Sequence, residues 1–216
     1  NLTVTNRSSG IRVTGGTDVT VTNNTLTNNT TALFLSTITD GADGDNKPLA
    51  ASGNTFTSST EGLRLQSMTA AAGLTIGTSG TDIVINNTND GLKAVTGDAI
   101  VLNNVDNATI SGLDVAWTGG SRSGTGIFNE GSSDNLVIQN VIATNRNYGI
   151  RFDSGKDATF TNNTLTNNNT ALRVASATDD VDGDSAPFLA TGKLGREQLD
   201  ALYQELCDHP MVVMVL

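Results

Sequence analysis

Two acidic clusters are the first residues whose types and spacing suggest chemistry. Asp40-Gly41-Ala42-Asp43-Gly44-Asp45 and Asp179-Asp180-Val181-Asp182-Gly183-Asp184 share the pattern D-x-x-D-G-D, and a proline follows each, Pro48 and Pro187. Carboxylates interleaved with glycine offer hard oxygen donors on a pliable backbone. That suits calcium, which takes about six to eight oxygens. Asp40, Asp43, Asp45, Asp179, Asp182 and Asp184 are therefore candidate calcium ligands. The spacing is not that of an EF-hand loop. Asp and Gly are also ordinary turn formers, so a solvated loop extension explains the same letters.

A second set is defined by its distance from a recurring small-apolar pair. Gly10-Ile11, Ala32-Leu33, Gly62-Leu63, Ala99-Ile100, Gly126-Ile127, Gly149-Ile150 and Ala171-Leu172 are followed by Arg12, Phe34, Arg64, Val101, Phe128, Arg151 and Arg173. Strand alternation turns these followers outward on one face. Guanidinium groups and aromatic rings on one face can grip a glycan or an acidic protein surface by stacking and paired hydrogen bonds. The plainer alternative is a solvated face whose long stems cover apolar surface.

Catalytic constellations are harder to find. Glycoside hydrolysis needs two poised carboxylates. Asp98, Asp106 and Asp114 are available, but their spacing puts them on separate structural units. The single histidine, His209, and the single cysteine, Cys207, both lie near the C-terminus. Two such ligands are a thin basis for a metal site, and a lone cysteine excludes an intrachain disulfide framework.

The elements that position these residues follow from a repeat. TNNTLTNN stands at 22–29 and again at 161–168. Sliding residues 1–53 by 139 places them on 140–192 without a gap, and about 29 of the 53 positions are identical. Arg12 falls on Arg151, and the two acidic clusters fall on each other. Within this unit runs a shorter period of about 22 to 34 residues. Its marks are Asn1, Asn23, Gly53, Asn87, Gly112, Asn140, Asn162 and Gly192, each just after a short apolar alternation. Gly reaches positive φ freely and Asn tolerates it best among residues with side chains, so this column reads as a stack of bends. Three residues on, Val4, Leu26, Phe56, Val115, Ala143 and Leu165 point inward, and the flanking threonines point outward. Two short strands per coil, joined by a turn, explain both columns.

Composition agrees. Hydrophobic residues make up 37% and aromatics 4%, Thr, Asn and Gly abound, and helix formers are scarce before residue 193, which disfavours a helical bundle. A net charge of −10 disfavours nucleic acid, which needs clustered Lys and Arg. No apolar run is long enough to insert in a membrane.

The pattern G-I-x-V followed by V-x-V-x-N-N-x-L-x-N resembles the right-handed parallel β-helix repeats of the pectin-lyase-like fold, including NosD-like and copper-periplasmic repeat regions. The resemblance covers residues 1–192 and supplies the hand of the helix. It implies an all-β, single-stranded solenoid of about eight coils. It also implies a repetitive, secreted or cell-surface bacterial protein, extracellular and structural or adhesive. The acidic clusters and the Arg/Phe column add calcium, glycans or other surface proteins as candidate partners, with self-association through the solenoid ends. The alternative the resemblance implies is a polysaccharide lyase or hydrolase, yet the Gly-His-Gly element of polygalacturonase-like members is missing. The outward Thr-x-Thr pairs, such as Thr25/Thr27 and Thr55/Thr57, also resemble the threonine arrays of ice-binding solenoids. That ladder breaks at Asn89, Asp114 and Ala116.

At Lys193 the language changes. Residues 193–216 lose Asn and Thr, and Leu199, Leu202, Tyr203 and Leu206 form a helical stripe ended by Pro210. Met211–Leu216 is wholly apolar and reads as a buried or edge strand. We expect a helical cap, native or grafted, over the open end of the solenoid.

Overall fold

The computed structural model describes residues 1–41, 47–68, 73–86, 91–178, 188–193 and 213–215. Strands follow one another in coils. The first coil holds β1 (Thr3–Thr5), β2 (Ser9–Thr17) and β3 (Val19–Thr22). The second holds β4 (Thr25–Thr27), β5 (Thr31–Thr39) and β6 (Leu49–Ser52). The third holds β7 (Thr55–Thr57), β8 (Glu61–Met68), β9 (Thr75–Gly77) and β10 (Ile83–Val84). The fourth has a 3-10 turn at Leu92–Ala94, then β11 (Ile100–Val105) and β12 (Thr109–Ser111). Next come β13 (Thr125–Asp134) with β14 (Val137–Gln139), and β15 (Tyr148–Lys156) with β16 (Ala158–Thr164). β17 (Thr170–Val174), β18 (Ala177–Thr178) and β19 (Phe188–Lys193) form the seventh coil, and β20 (Val213–Val215) follows.

Every ladder between these strands is parallel, and each strand pairs with its counterpart one coil away. The chain is thus a parallel β-helix with three faces. β1, β4 and β7 make the first face; β2 through β17 make the second; β3 through β20 make the third. This corrects one expectation in part. The first three coils have three strand positions instead of two, because the short segment after the Asn/Gly bend forms its own face; the fourth to sixth coils keep two strands each, with a 3-10 turn or isolated bridges at that place. The second face stacks seven strands among the described residues, one for each of the seven small-apolar pairs; Asn87 of the bend column lies outside the described residues, and the third face carries an additional strand. There β10 sits between β6 and β9, while β9 pairs onward to β12.

The bends explain the octamer. Asn23 and Asn28 hold φ of 56° and 54°, and their counterparts Asn162 and Asn167 hold 54° and 56°. The residues that follow, Asn24, Asn29, Asn163 and Asn168, are buried. One asparagine of each doublet turns the chain and the next fills the corner. Asn24 Nδ2 donates to Asn54 Oδ1 at 2.9 Å, and Asn54 Nδ2 donates to the Val21 carbonyl at 2.8 Å. Asn163 repeats this with the Val141 amide and the Ile138 carbonyl. The corner therefore satisfies backbone groups that a sharp bend would leave without partners. The expected stack of bend residues is present, with Gly53, Gly112 and Asn140 also at positive φ. The buried amide ladder belongs to the residue after each bend, while some bend asparagines also bond one another between coils, Asn135 donating to Asn107 and Asn167 to Asn145.

Between the corners, aliphatics stack in files. Ile11, Leu33, Leu63, Ile100, Ile127, Ile150 and Leu172 align on the second face. Val4, Leu26 and Phe56 align on the first, the inward column expected three residues past each bend. The tube has no open lumen among the described residues, as its interior is one continuous apolar cluster.

The expected helix over Leu199–Leu206 lies outside the described residues. Part of the apolar tail is described: β20 pairs in parallel with β19, extending the third face.

Candidate functional site

The outward column on the second face is a single file. Register joins Arg12 to Phe34, Phe34 to Arg64, Arg64 to Val101, Val101 to Phe128, Phe128 to Arg151 and Arg151 to Arg173. Its side chains mostly engage each other. The Arg12 guanidinium lies 4.0 Å from the Phe34 ring centre, and Arg151 lies 4.5 Å from that of Phe128. Phe34 is buried, so its ring is covered by arginine and offers no bare platform to a sugar.

Carboxylates complete the file. Arg64 donates to Glu61 at 3.0 and 3.1 Å and reaches Glu130 at 3.1 Å, with a second, shorter bond to the same carboxylate. Glu61 and Glu130 lie on coils either side of the one that carries Val101, so the ion pair spans it. Val101 is wholly buried although it occupies an outward position. Arg151 and Arg173 share Asp153, at 2.6 and 2.8 Å. Hydrogen bonding to Glu61 raises the Arg64 pKa against the opposing effect of burial, with Glu130 adding to it. Hydrogen bonding to Asp153 raises Arg151 in the same way. For Glu130, burial works upward, but hydrogen bonds from Arg64 and Asn103 and the Arg64 charge hold it below the ordinary glutamate value. Among the described residues Arg12 is the one arginine of the file with no carboxylate partner; it is exposed and held by Phe34 alone.

A second polar centre escaped the sequence reading. Arg146 is 0% exposed. Its guanidinium donates to four main-chain carbonyls: Val115 at 2.9 Å, Val95 at 2.9 Å, Gly97 at 3.0 Å and Leu92 at 3.1 Å. The Trp117 ring centre lies 5.6 Å away. Burial pushes its pKa down to about 10 while the Asp98 charge works the other way, so it remains a cation at neutral pH. Asn145, at φ 60°, makes the bend, and Arg146 stands where Asn29, Ser59 and Asn168 stand in other coils. A guanidinium replaces the corner amide and ties the fourth, fifth and sixth coils together. The 139-residue offset that pairs Arg7 with Arg146 was the available signal.

The remaining candidates separate. Asp40 is described, and next to it the Gly41 amide donates to Asp18 at 2.7 Å. Asp43, Asp45, Asp179, Asp182 and Asp184 lie outside the described residues, as do Cys207 and His209. Among the described residues no group of three or more His, Cys, Asp or Glu is placed to hold a metal. Asp98 accepts the Thr125 amide, Asp106 the Asp134 amide, and Asp114 pairs with Lys93 at 2.5 Å. The expected separation onto three coils holds only for Asp114: Asp98 and Asp106 share the fourth coil, one before and one after β11, and each of the three has its own hydrogen-bond or ion-pair partner. No helix among the described residues is long and apolar enough to cross a membrane.

Among known families, the model described as periplasmic copper-binding protein (NosD) matches residues 1–182. No curated protein and no solved structure matches the chain.

Proposed function

Because the chain belongs to the NosD family of right-handed parallel β-helices, we propose that it is a rigid, non-enzymatic structural segment of a bacterial envelope protein, periplasmic or surface-exposed. The observation that carries this reading is the self-sufficiency of the second face. Arginines stack on phenylalanines and pair with Glu61, Glu130 and Asp153, coil after coil, leaving a ladder that braces the solenoid. A catalytic cleft would instead gather carboxylates, and Asp98, Asp106 and Asp114 each hold a separate partner.

The family description names copper. Copper favours imidazole, thiolate and thioether donors. The chain has one histidine, one cysteine and three methionines, and Met68 is buried in the apolar core. The described coils therefore do not fit a resident copper ion.

One observation favours a second reading, an adhesin that grips an acidic glycan. Arg12 is a solvent-facing cation oriented by a ring, with no carboxylate partner among the described residues. A screen against neutral and acidic oligosaccharides tests both readings. The structural reading expects no binding and an unmoved thermal transition. A micromolar acidic glycan whose binding disappears in Arg12→Ala would replace it with the adhesin reading.

A further inference from the structure

The two copies of TNNTLTNN, with the residues just after them, spell the triplet Asn-x-Thr five times. They are Asn23-Asn24-Thr25, Asn28-Asn29-Thr30 and Asn29-Thr30-Thr31 in the first copy, Asn162-Asn163-Thr164 and Asn168-Asn169-Thr170 in the second. The triplet is the acceptor pattern of asparagine glycosylation, which needs a surface-exposed asparagine. In a chain this rich in Asn and Thr the letters alone decide nothing. The coil geometry sorts them.

Asn29 and Asn168 are closed. Both are buried and fill corners. Asn29 Nδ2 donates to the Val4 carbonyl at 3.1 Å, and Asn168 Nδ2 to the Ala143 carbonyl at 2.7 Å. Their Oδ1 atoms accept the Arg7 and Arg146 backbone amides at 3.0 and 2.8 Å. Thr31, the hydroxyl of the Asn29 triplet, is buried as well and donates to Glu61 at 2.7 Å. Asn23, Asn28 and Asn162 are open. They are bend residues, with φ of 56°, 54° and 54°. In each of their triplets the asparagine is exposed, the middle residue is buried and the threonine is exposed. The bend thus leaves the amide nitrogen and the hydroxyl of Thr25, Thr30 or Thr164 together on the solvent side, while the residue between them holds the corner. Asn23 and Asn162 stand where the third face ends, and Asn28 where the first face ends.

We propose that Asn23, Asn28 and Asn162 are acceptor sites for asparagine-linked glycosylation from a sugar activated as a diphosphate ester. The Asn Nδ2 attacks the anomeric carbon. The N–C1 bond forms as the C1–O bond to the diphosphate breaks, the diphosphate leaves with the electron pair, and a base of the transferase takes one Nδ2 proton. The threonine hydroxyl is the second group the transferase reads. These sites lie off the second face, so they stand whichever reading of that face holds.

The test compares the purified, folded full chain with synthetic peptides of residues 13–47 and 157–173, which carry all five triplets without the fold. One arm supplies a nucleoside-diphosphate glucose and a soluble asparagine glucosyltransferase. The other supplies a lipid-diphosphate oligosaccharide and a membrane oligosaccharyltransferase. Peptide mass spectrometry locates the sugar. In the arm that matches the donor, the folded chain carries sugar on Asn23, Asn28 and Asn162 and none on Asn29 or Asn168, whereas the peptides accept it at Asn29 and Asn168 too. Thr25→Ala abolishes modification of Asn23 in the folded chain and leaves Asn28 and Asn162 modified. A folded chain that stays bare in both arms would overturn the proposal, whether or not the peptides are modified. So would sugar on Asn29 and Asn168 of the folded chain at the level seen on Asn23.

Discussion

Asn54 Nδ2 donates to the carbonyl of Val21 at 2.8 Å, across 33 residues of sequence and one coil of solenoid. The same side chain accepts from the backbone amide of Asn24 at 3.1 Å and from its side chain at 2.9 Å. One buried amide thus closes both halves of a corner. Asn54→Ala strands two donors and an acceptor away from water, and each buried unsatisfied group costs about 1–3 kcal/mol. We expect a loss of about 2–4 kcal/mol in urea unfolding.

The neighbouring bend behaves in the opposite way. Asn23 is exposed at φ 56°, where the backbone conformation matters and the side chain does not. Asn23→Gly is expected to be neutral within about 0.5 kcal/mol, and Asn23→Val to cost about 1–2 kcal/mol because a β-branched residue is strained there. Equal losses for Asn23→Gly and Asn54→Ala in the same urea titration would contradict this division of labour.

Arg146 supports three coils at once. Arg146→Ala leaves four carbonyls without their donor and a void, with an expected cost of about 3–5 kcal/mol. Arg146→Lys keeps the charge but not the planar fork, so it recovers less than half of that. Denaturant unfolding of the two variants measures the difference directly.

The outer file predicts a pH dependence. Glu130 titrates below its ordinary value, so the folded state holds it ionised more firmly than the unfolded state does. Its contribution is fully present above the unfolded pKa of about 4.5 and is lost as pH falls through the lower folded value. Glu130 is partly exposed, which limits the effect to about 0.5–1 kcal/mol. The stability gap between the native chain and Glu130→Gln should be constant from pH 7 to about 5 and shrink below about 4.5. A gap that widens on acidification would reverse the sign argued here.

Copper offers a simpler check. With Cys207→Ser and His209→Ala in place, the coils retain no imidazole or thiolate donor. Added Cu(II) at equimolar concentration should then leave the thermal transition in place, because only ligands that prefer the folded state stabilise it. A stabilising shift would reveal a site built from other donors.

How much of this was legible in the letters depends on what each residue does. Bend asparagines and inward aliphatics recur with the coil, so their period exposed both the solenoid and the file from Arg12 to Arg173. The third strand position was missed because segments such as Thr25–Thr27 are too short to show alternation of their own. The doubling at β9 and β10 was missed because pairing partners, not periodicity, define it. Arg146 was missed for a chemical reason. An arginine beside an asparagine reads as surface, and only the packing of three coils reveals the carbonyls it satisfies. The covering of Phe34 by Arg12 is likewise a contact between coils that a single strand cannot announce.

The account stands on the stacking of coils, and a distance measured along the solenoid axis tests it most directly. Spin labels placed at Arg12 and Arg151 in a Cys207→Ser background lie five coils apart on the second face. With a strand spacing of about 4.8 Å, the backbone separation is about 24 Å. Moving the second label to Arg173 should lengthen the measured distance by about 5 Å and leave the distribution narrow. A broad distribution, or a distance that does not change with that move, would contradict the stacked architecture.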